Sequence, residues 1–359
     1  MKKFNWIFIS IVFSSFSWGQ SVFPFSDNLQ YFKSFHEGMS IQLDYLPPID
    51  YKYSENIIAY IDNKSDLFVF DGKSKQKLSG FVNDYAIGRN IVAWNAGPIL
   101  AVWDQGTKKS LTNFARKYVV TDSLVVFDDE RDNAIRVYYN GGIYDLYYSI
   151  GRPVFPQYIG SNTVSFVGNG DINYVFIAGK IIEVGSMNAN TKFSAGGNLL
   201  VFNDSFNQTF SVAFKSEVMD VEKMPAIDYK AGYDMFVYTD INYNLKGYID
   251  GEIVELSSNA SFYEVFRNMV VWGENGSFFT YKNGRRYEIA NYIPEEFKLR
   301  DGIVAFRNLN RGISVFHNET VELVSNLIDA PFEVNGNTVQ VRVTRGNYQY
   351  FKNGYRYED

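Results

Sequence analysis

The sequence predicts an all-β chain of repeated four-stranded antiparallel units, and three observations lead there. A two-residue turn recurs about every 35 residues, ten times, and eight of the ten turns have glycine at the second position. A short apolar run ending in an aromatic residue precedes most of these turns by a near-constant interval. No stretch keeps a 3.6-residue apolar period long enough to make a helix.

The turns run Glu37-Gly38, Asp71-Gly72, Gln105-Gly106, Gly141-Gly142, Ala178-Gly179, Lys215-Ser216, Asp250-Gly251, Asn283-Gly284, Asn318-Glu319 and Asn353-Gly354, spaced 33 to 37 residues apart. Asp-Gly and Asn-Gly between alternating apolar residues mark β-hairpins, because the favoured two-residue turns need positive φ, which glycine adopts without a Cβ clash. Each unit is read as four strands, A to D in chain order, with this turn between C and D. The B strands are the clearest: Ile57 to Tyr60, Ile91 to Trp94, Leu124 to Phe127, Leu199 to Phe202, Met235 to Tyr238, Met269 to Trp272 and Ile303 to Phe306 are nearly continuous apolar runs. Such runs belong to strands buried on both faces. The C strands alternate, as in Leu67 and Val69 on one side with Phe68 and Phe70 on the other.

A unit of this length, repeated to the end of the chain, buries its apolar faces only against its neighbours, which is the plan of a β-propeller. Ten units exceed the common range of roughly four to eight blades. The expectation is therefore 8 to 10 blades, with two smaller propellers as the alternative. The first unit lacks an evident A strand, and ring closure is expected where Ser21 to Tyr45 meets Asn337 to Asp359. Seven of the nine prolines fall in D–A connections and Pro98 in a B–C loop. Proline cannot donate to a ladder, so these connections form the irregular face, the usual place for binding residues.

Residues 1–19 carry Lys2 and Lys3, an apolar run from Trp6 to Phe16, and small residues at Ser17 and Gly19, the pattern of a secretory signal peptide. The remainder, 20–359, is expected to be one repeat domain in the periplasm, with the cell surface or secretion as the alternatives and no transmembrane segment after the signal is removed. The chain has no cysteine, which excludes disulfides, thiolate metal sites, thiol nucleophiles and a lipoprotein anchor. Loss of Lys2 and Lys3 takes the formal charge from -6 to -8. Nucleic acid is not an expected partner, since scattered lysine and arginine form no basic face to neutralise phosphates.

Catalytic signatures are missing. The two histidines, His36 and His317, sit beside C–D turns far apart in sequence and read as surface turn residues. There is no nucleophile elbow, phosphate loop, dinucleotide fingerprint or sialidase Asp-box. The acidic run Asp128-Asp129-Glu130-Arg131-Asp132 and the loop Asp240 to Asn244 offer hard oxygen ligands for calcium. They lack the EF-hand spacing, and Asp and Asn are also ordinary turn formers, so no metal, cofactor or catalytic residue is assigned. The widest interruption of the repeat spans an aromatic stretch with Tyr144, Tyr147, Tyr148, Arg152, Phe155 and Tyr158. Insertions in repeats map to loops, and Tyr and Arg favour interfaces, so these six residues are the candidate partner-binding set. Alternation of the same tyrosines between core and sheet surface is the competing reading.

The unit Asn268-Met269-Val270-Val271-Trp272, Phe279, Tyr281 and Asn283-Gly284, with its copies along the chain, resembles the exported propeller proteins of Gram-negative envelopes, among them the Plug subunit of the type IX secretion translocon. The likeness rests on size, signal peptide, missing lipid anchor and repeat style. It implies a non-enzymatic periplasmic subunit docked on an outer-membrane protein or secretion complex. A glycan-binding or glycan-hydrolysing propeller is the alternative.

Overall fold

The computed structural model describes residues 21–358. The expected signal peptide, together with Gln20 and Asp359, lies outside the described residues. Ten antiparallel sheets follow one another along the chain, nine with four strands in the order A-B-C-D and the first with three. Adjacent pairs such as Leu199–Asp204 with Thr209–Phe214 are joined by short loops, so each sheet is a simple meander.

The B strands are buried as their apolar runs require; Leu199, Leu200, Val201 and Phe202 are all fully inaccessible. Each of ten apolar clusters straddles two neighbouring sheets. Met235, Val237 and Leu245 of blade 7 meet Val270 and Trp272 of blade 8, and Ile303 and Val315 of blade 9 meet Val339 and Val341 of blade 10. One of the ten, with Phe23, Phe25, Phe35 and Tyr350, joins the last blade to the first. The ten blades therefore make a single closed ring, and the two-propeller alternative falls away.

A strands of neighbouring blades touch one another around the axis, whereas D strands face outward. The first sheet begins at Val22–Ser26, which takes a B position, so among the described residues nine inner strands serve ten blades. Pro24 lies in that strand and suits it to a sheet edge, since it offers no donor to an inner neighbour. Asn335, in the A–B turn of blade 10, bridges the gap: its buried amide donates to Val22 O and to Ser54 O, each at 2.7 Å.

Positive φ at both turn residues is found at Asn283 (50°) and Gly284 (75°), as the hairpin reading requires. In blade 4 the turn pair is Asn140-Gly141, one residue earlier than expected; two adjacent glycines left the frame ambiguous, and asparagine tolerates the left-handed region. In nine blades the C–D pairing shifts by one residue at the same place, leaving one D residue unpaired. That residue is always Leu, Ile or Val; Leu43, Leu78, Leu146, Leu256, Ile289 and Val324 are buried in the seam to the next blade. A β-bulge re-aims a side chain, and here it turns an aliphatic residue from an otherwise exposed strand into the core.

Candidate functional site

The two ends of the ring differ in chemistry. At the A–B and C–D turns, side chains from blades 2, 3, 4, 8 and 9 converge across the axis. Arg267 of blade 8 bonds Glu55 of blade 2, Asp301 of blade 9 and, at 3.0 Å, Asp122 of blade 4. Arg89 of blade 3 meets Glu55 at 2.8 Å and Asp301 at 3.1 Å. Nearby, Asn162 of blade 5 donates to the Tyr233 hydroxyl of blade 7 at 2.8 Å.

The turns reach this close because glycine lets them stack. A Cβ at Gly232 would strike Arg267 O, and one at Gly88 would strike Thr121 O. Burial acts against charge on Glu55 and, with Asp301 adding to it, lifts its pKa above the ordinary glutamate value despite Arg267 and Arg89. For Arg267 burial works against the charge too, yet Glu55, Asp122 and Asp301 hold its pKa above the usual arginine value. Cavities of about 1110 and 760 Å³ flank the cluster, lined by turn residues including Lys73 and Asp71 on one side and Asp234 and Asn268 on the other.

Between the two ends the A strands are zipped by polar contacts that repeat. The Tyr85, Tyr118 and Tyr263 hydroxyls donate to Asp50, Asp84 and Asp228 of the preceding blade at 2.8, 2.8 and 2.7 Å. Lys230 and Lys298 donate to Tyr263 O and Phe332 O of the following blade at 2.9 and 2.7 Å.

The opposite end, made of B–C loops and D–A connections, exposes large apolar side chains around its circumference: Leu29, Leu46, Phe81, Ile150, Phe206, Ile241, Leu309 and Ile328 among them. At the A–B and C–D turns the large exposed apolar residues are fewer, Met39 and Tyr355 beside the C–D turns of blades 1 and 10. The B–C loops are braced. Asp27 accepts from Leu29 N and Tyr31 N, Asp240 from Asn242 N and Asn244 N, and Asn308 from Asn310 N and Gly312 N, all at 2.8 to 3.0 Å. Asp204 does the same for Phe206 N and Asn207 N, leaving Phe206 87% exposed. The side-chain oxygen satisfies loop amides and fixes the loop, so the apolar tips stand on rigid supports.

The six residues of the candidate partner-binding set divide. Tyr147 stacks on Phe166 of blade 5, Tyr144 meets Phe176 edge-on, Tyr158 packs on Phe193 of blade 6, and the Lys117 ammonium lies 4.4 Å from the Phe155 ring. These four contribute to seams between blades. Tyr148 and Arg152 are exposed, and between them Ile150 is wholly so. The acidic run is engaged internally. Arg136 pairs with Asp129, with Asp132 at 2.7 Å and with Asp145 at 2.7 Å, while Asp128 accepts from Arg116 N and Lys117 N. A guanidinium thus occupies the position a cation would take. Asp240 likewise pairs with Lys246 at 3.0 Å. Neither histidine is a surface residue: His36 and His317 are buried, because the last residue of each C strand points into a seam, and burial lowers the His317 pKa.

The model of the 10-bladed beta propeller domain family matches residues 16–357. The chain belongs to that family. No curated protein matches it. Among solved structures, this 10-bladed propeller is similar to the computationally designed Ika8 protein, at 16% identity over 76% of this chain and 96% of that one, with a TM-score of 0.36. It is similar to a eukaryotic initiation factor at 13% identity over 95% and 96%, with a TM-score of 0.44. For the CRINKLY WD40 ectodomain of the Arabidopsis thaliana receptor kinase ACR4, the identity is 11% over 78% and 96%, with a TM-score of 0.32.

Sequence reasoning missed the charged cluster of the propeller's hub and the rigid loop tips. A signal for the first existed: Gly88-Arg89, Gly160-Ser161, Gly196-Gly197 and Gly232-Tyr233 recur just ahead of the B strands. The zipper was legible too, since Ile49-Asp50-Tyr51-Lys52 returns as Ile227-Asp228-Tyr229-Lys230. No local signal names the partners of Arg267, which come from three other blades.

Proposed function

We propose that this 10-bladed propeller is an exported, non-enzymatic interaction scaffold that docks on an outer-membrane protein assembly, of the type IX secretion kind implied by the resemblance, through the end carrying its B–C loops and D–A connections. The observation behind this reading is the asymmetry of the two ends. One is knitted shut by ion pairs and polar turns. The other presents apolar side chains on braced loops, and exposed apolar residues in such number mark a surface built to be covered. A ring whose opposite end is internally bonded has that surface free to engage a partner.

Photo-crosslinking in intact envelopes tests it. A crosslinker at Phe206 or Leu309 is expected to yield an adduct with one large envelope protein, and one at Lys73 or Asp234 is expected to yield none. Adducts from the hub end alone, or recovery of the protein in the cytoplasmic fraction, would overturn the reading.

A further inference from the structure

The loop-bearing end is not uniform, and one sector of it points to the chemistry of what it holds; this step rests on the docking reading above. Between blades 5, 6 and 7 lies a groove of about 690 Å³. Its walls carry Asn188, Asn190, Thr191 and Gln208, with the rings of Tyr158 and Tyr229. The side chains of Asn188, Asn190 and Thr191 and the Tyr158 hydroxyl make no hydrogen bond among the described residues. Tyr229 donates to Lys192 O at 2.6 Å, and the Ser205 hydroxyl accepts from Asn188 N at 3.0 Å.

One lysine lines the groove, and two further cations stand near its lining residues in sequence, together with apolar residues. Lys192 lines the groove, Lys223 precedes Pro225 on its wall, and Arg152 lies in the connection that leads into Tyr158. All three are exposed and none forms an ion pair among the described residues, unlike Arg307 and Arg311 across the ring, which pair with Glu296 and Asp329. Phe206, Met224 and Ile227 stand exposed beside them. Two carboxylates also line the groove. Asp204 is tied to its own loop through Phe206 N and Asn207, and Asp228 accepts the Tyr263 hydroxyl.

We infer that this groove binds an extended peptide segment of the partner, one rich in acidic and apolar side chains. Unbonded amides and hydroxyls match the N–H and C=O groups of an extended backbone, the rim cations match carboxylates, and Phe206 and Ile227 match the apolar side chains between them. A bilayer is the poorer fit. It would satisfy Phe206, Met224 and the lysines, but it would desolvate the groove amides without giving them partners.

The test uses the mature full-length chain and fluorescence polarisation with two labelled synthetic peptides, one alternating Glu with Leu and Phe, the other with Lys in place of Glu. The acidic peptide is expected to bind, to weaken with added salt, and to bind about tenfold more weakly to Lys192→Glu/Lys223→Glu and to Phe206→Ser. Leu309→Ser, on the far side of the same end, is expected to bind normally, and melting curves should show every variant folded. Equal binding of both peptides, or equal weakening by Leu309→Ser, would overturn the inference. So would sedimentation with phosphatidylglycerol vesicles without binding to either peptide. A Phe206 crosslink in envelopes that survives the double lysine reversal would remove this inference and leave the docking reading standing.

Discussion

Nine seams of the ring are built one way and the tenth another. At an ordinary seam, a bulged Leu, Ile or Val of one D strand drops between the two sheets, as Leu256 does between blades 7 and 8. At the closing seam the C–D pairing of blade 10 has no such shift, and the space is filled by rings. Phe35 lies flat on Tyr350, centroids 3.7 Å apart and planes 4° apart, and Phe25 meets Tyr348 edge-on. Polar ties flank them: Ser21 donates to Asn337 at 2.9 Å, and Lys352 to Glu37 at 2.5 Å. Closure therefore comes from packing the three-stranded first sheet on the four-stranded last one rather than from sharing a strand between the two. Stacked aromatics add geometry-dependent attraction to area burial, which suits a joint that must form once, between segments more than 300 residues apart.

Substitutions separate the two kinds of seam by the stability they cost. The largest effect is expected inside an ordinary seam: Val92→Asp buries a carboxylate with no partner and should cost more than about 4 kcal/mol, read by denaturant unfolding. Normal folding of that variant would mean that blades 2 and 3 do not meet there. Phe35→Ala should cost about 3 to 5 kcal/mol, because the stack on Tyr350 has no aliphatic neighbour to collapse into the void. If the loss is under about 1 kcal/mol, the closing seam is not holding the ring. Asn335→Ala strands two carbonyls and should cost about 1 to 3 kcal/mol in the same assay.

Smaller effects probe the turns and the hub. Gly284 has open space around it but a φ of 75°, so Gly284→Val should cost about 1 to 2 kcal/mol from backbone strain alone. An unchanged melting temperature would contradict the left-handed turn. Glu55 should titrate above the ordinary glutamate range in carboxyl carbon NMR. Its raised pKa means that its contribution to stability is present below the unfolded-state value and is lost as pH rises through the folded-state value. Glu55→Gln should flatten that part of the stability profile; a midpoint at the free value would show the hub to be solvated, and one below it would show the two arginines outweighing burial.

The repeat, the B strands and the hairpin turns were legible because each is set by residues near one another in sequence: glycine at positive φ, apolar runs, prolines excluded from ladders. The bulges were legible only in hindsight. Alternation in a D strand such as Glu252 to Ser257 looks like a plain edge strand until the register step places Leu256 inward. The histidines were misread for a related reason, since exposure next to a turn depends on which way the strand's last residue points. The Tyr144 to Tyr158 set went the same way in part, as four of its members serve seams and two remain on the surface. The hub cluster depends on residues 34 to 212 positions apart, and no local pattern encodes such a meeting.

Arg267 has a consequence for how the molecule comes apart. In an open array each repeat leans only on its neighbours, and unfolding creeps inward from a terminus. Here the first and last blades pack on each other, and one guanidinium ties blades 2, 4, 8 and 9 across the axis. Losing blade 8 takes the guanidinium from carboxylates of three other blades, and losing blade 2, 4 or 9 takes a carboxylate from the guanidinium. The wheel is thereby converted from a string of semi-independent modules into one cooperative body.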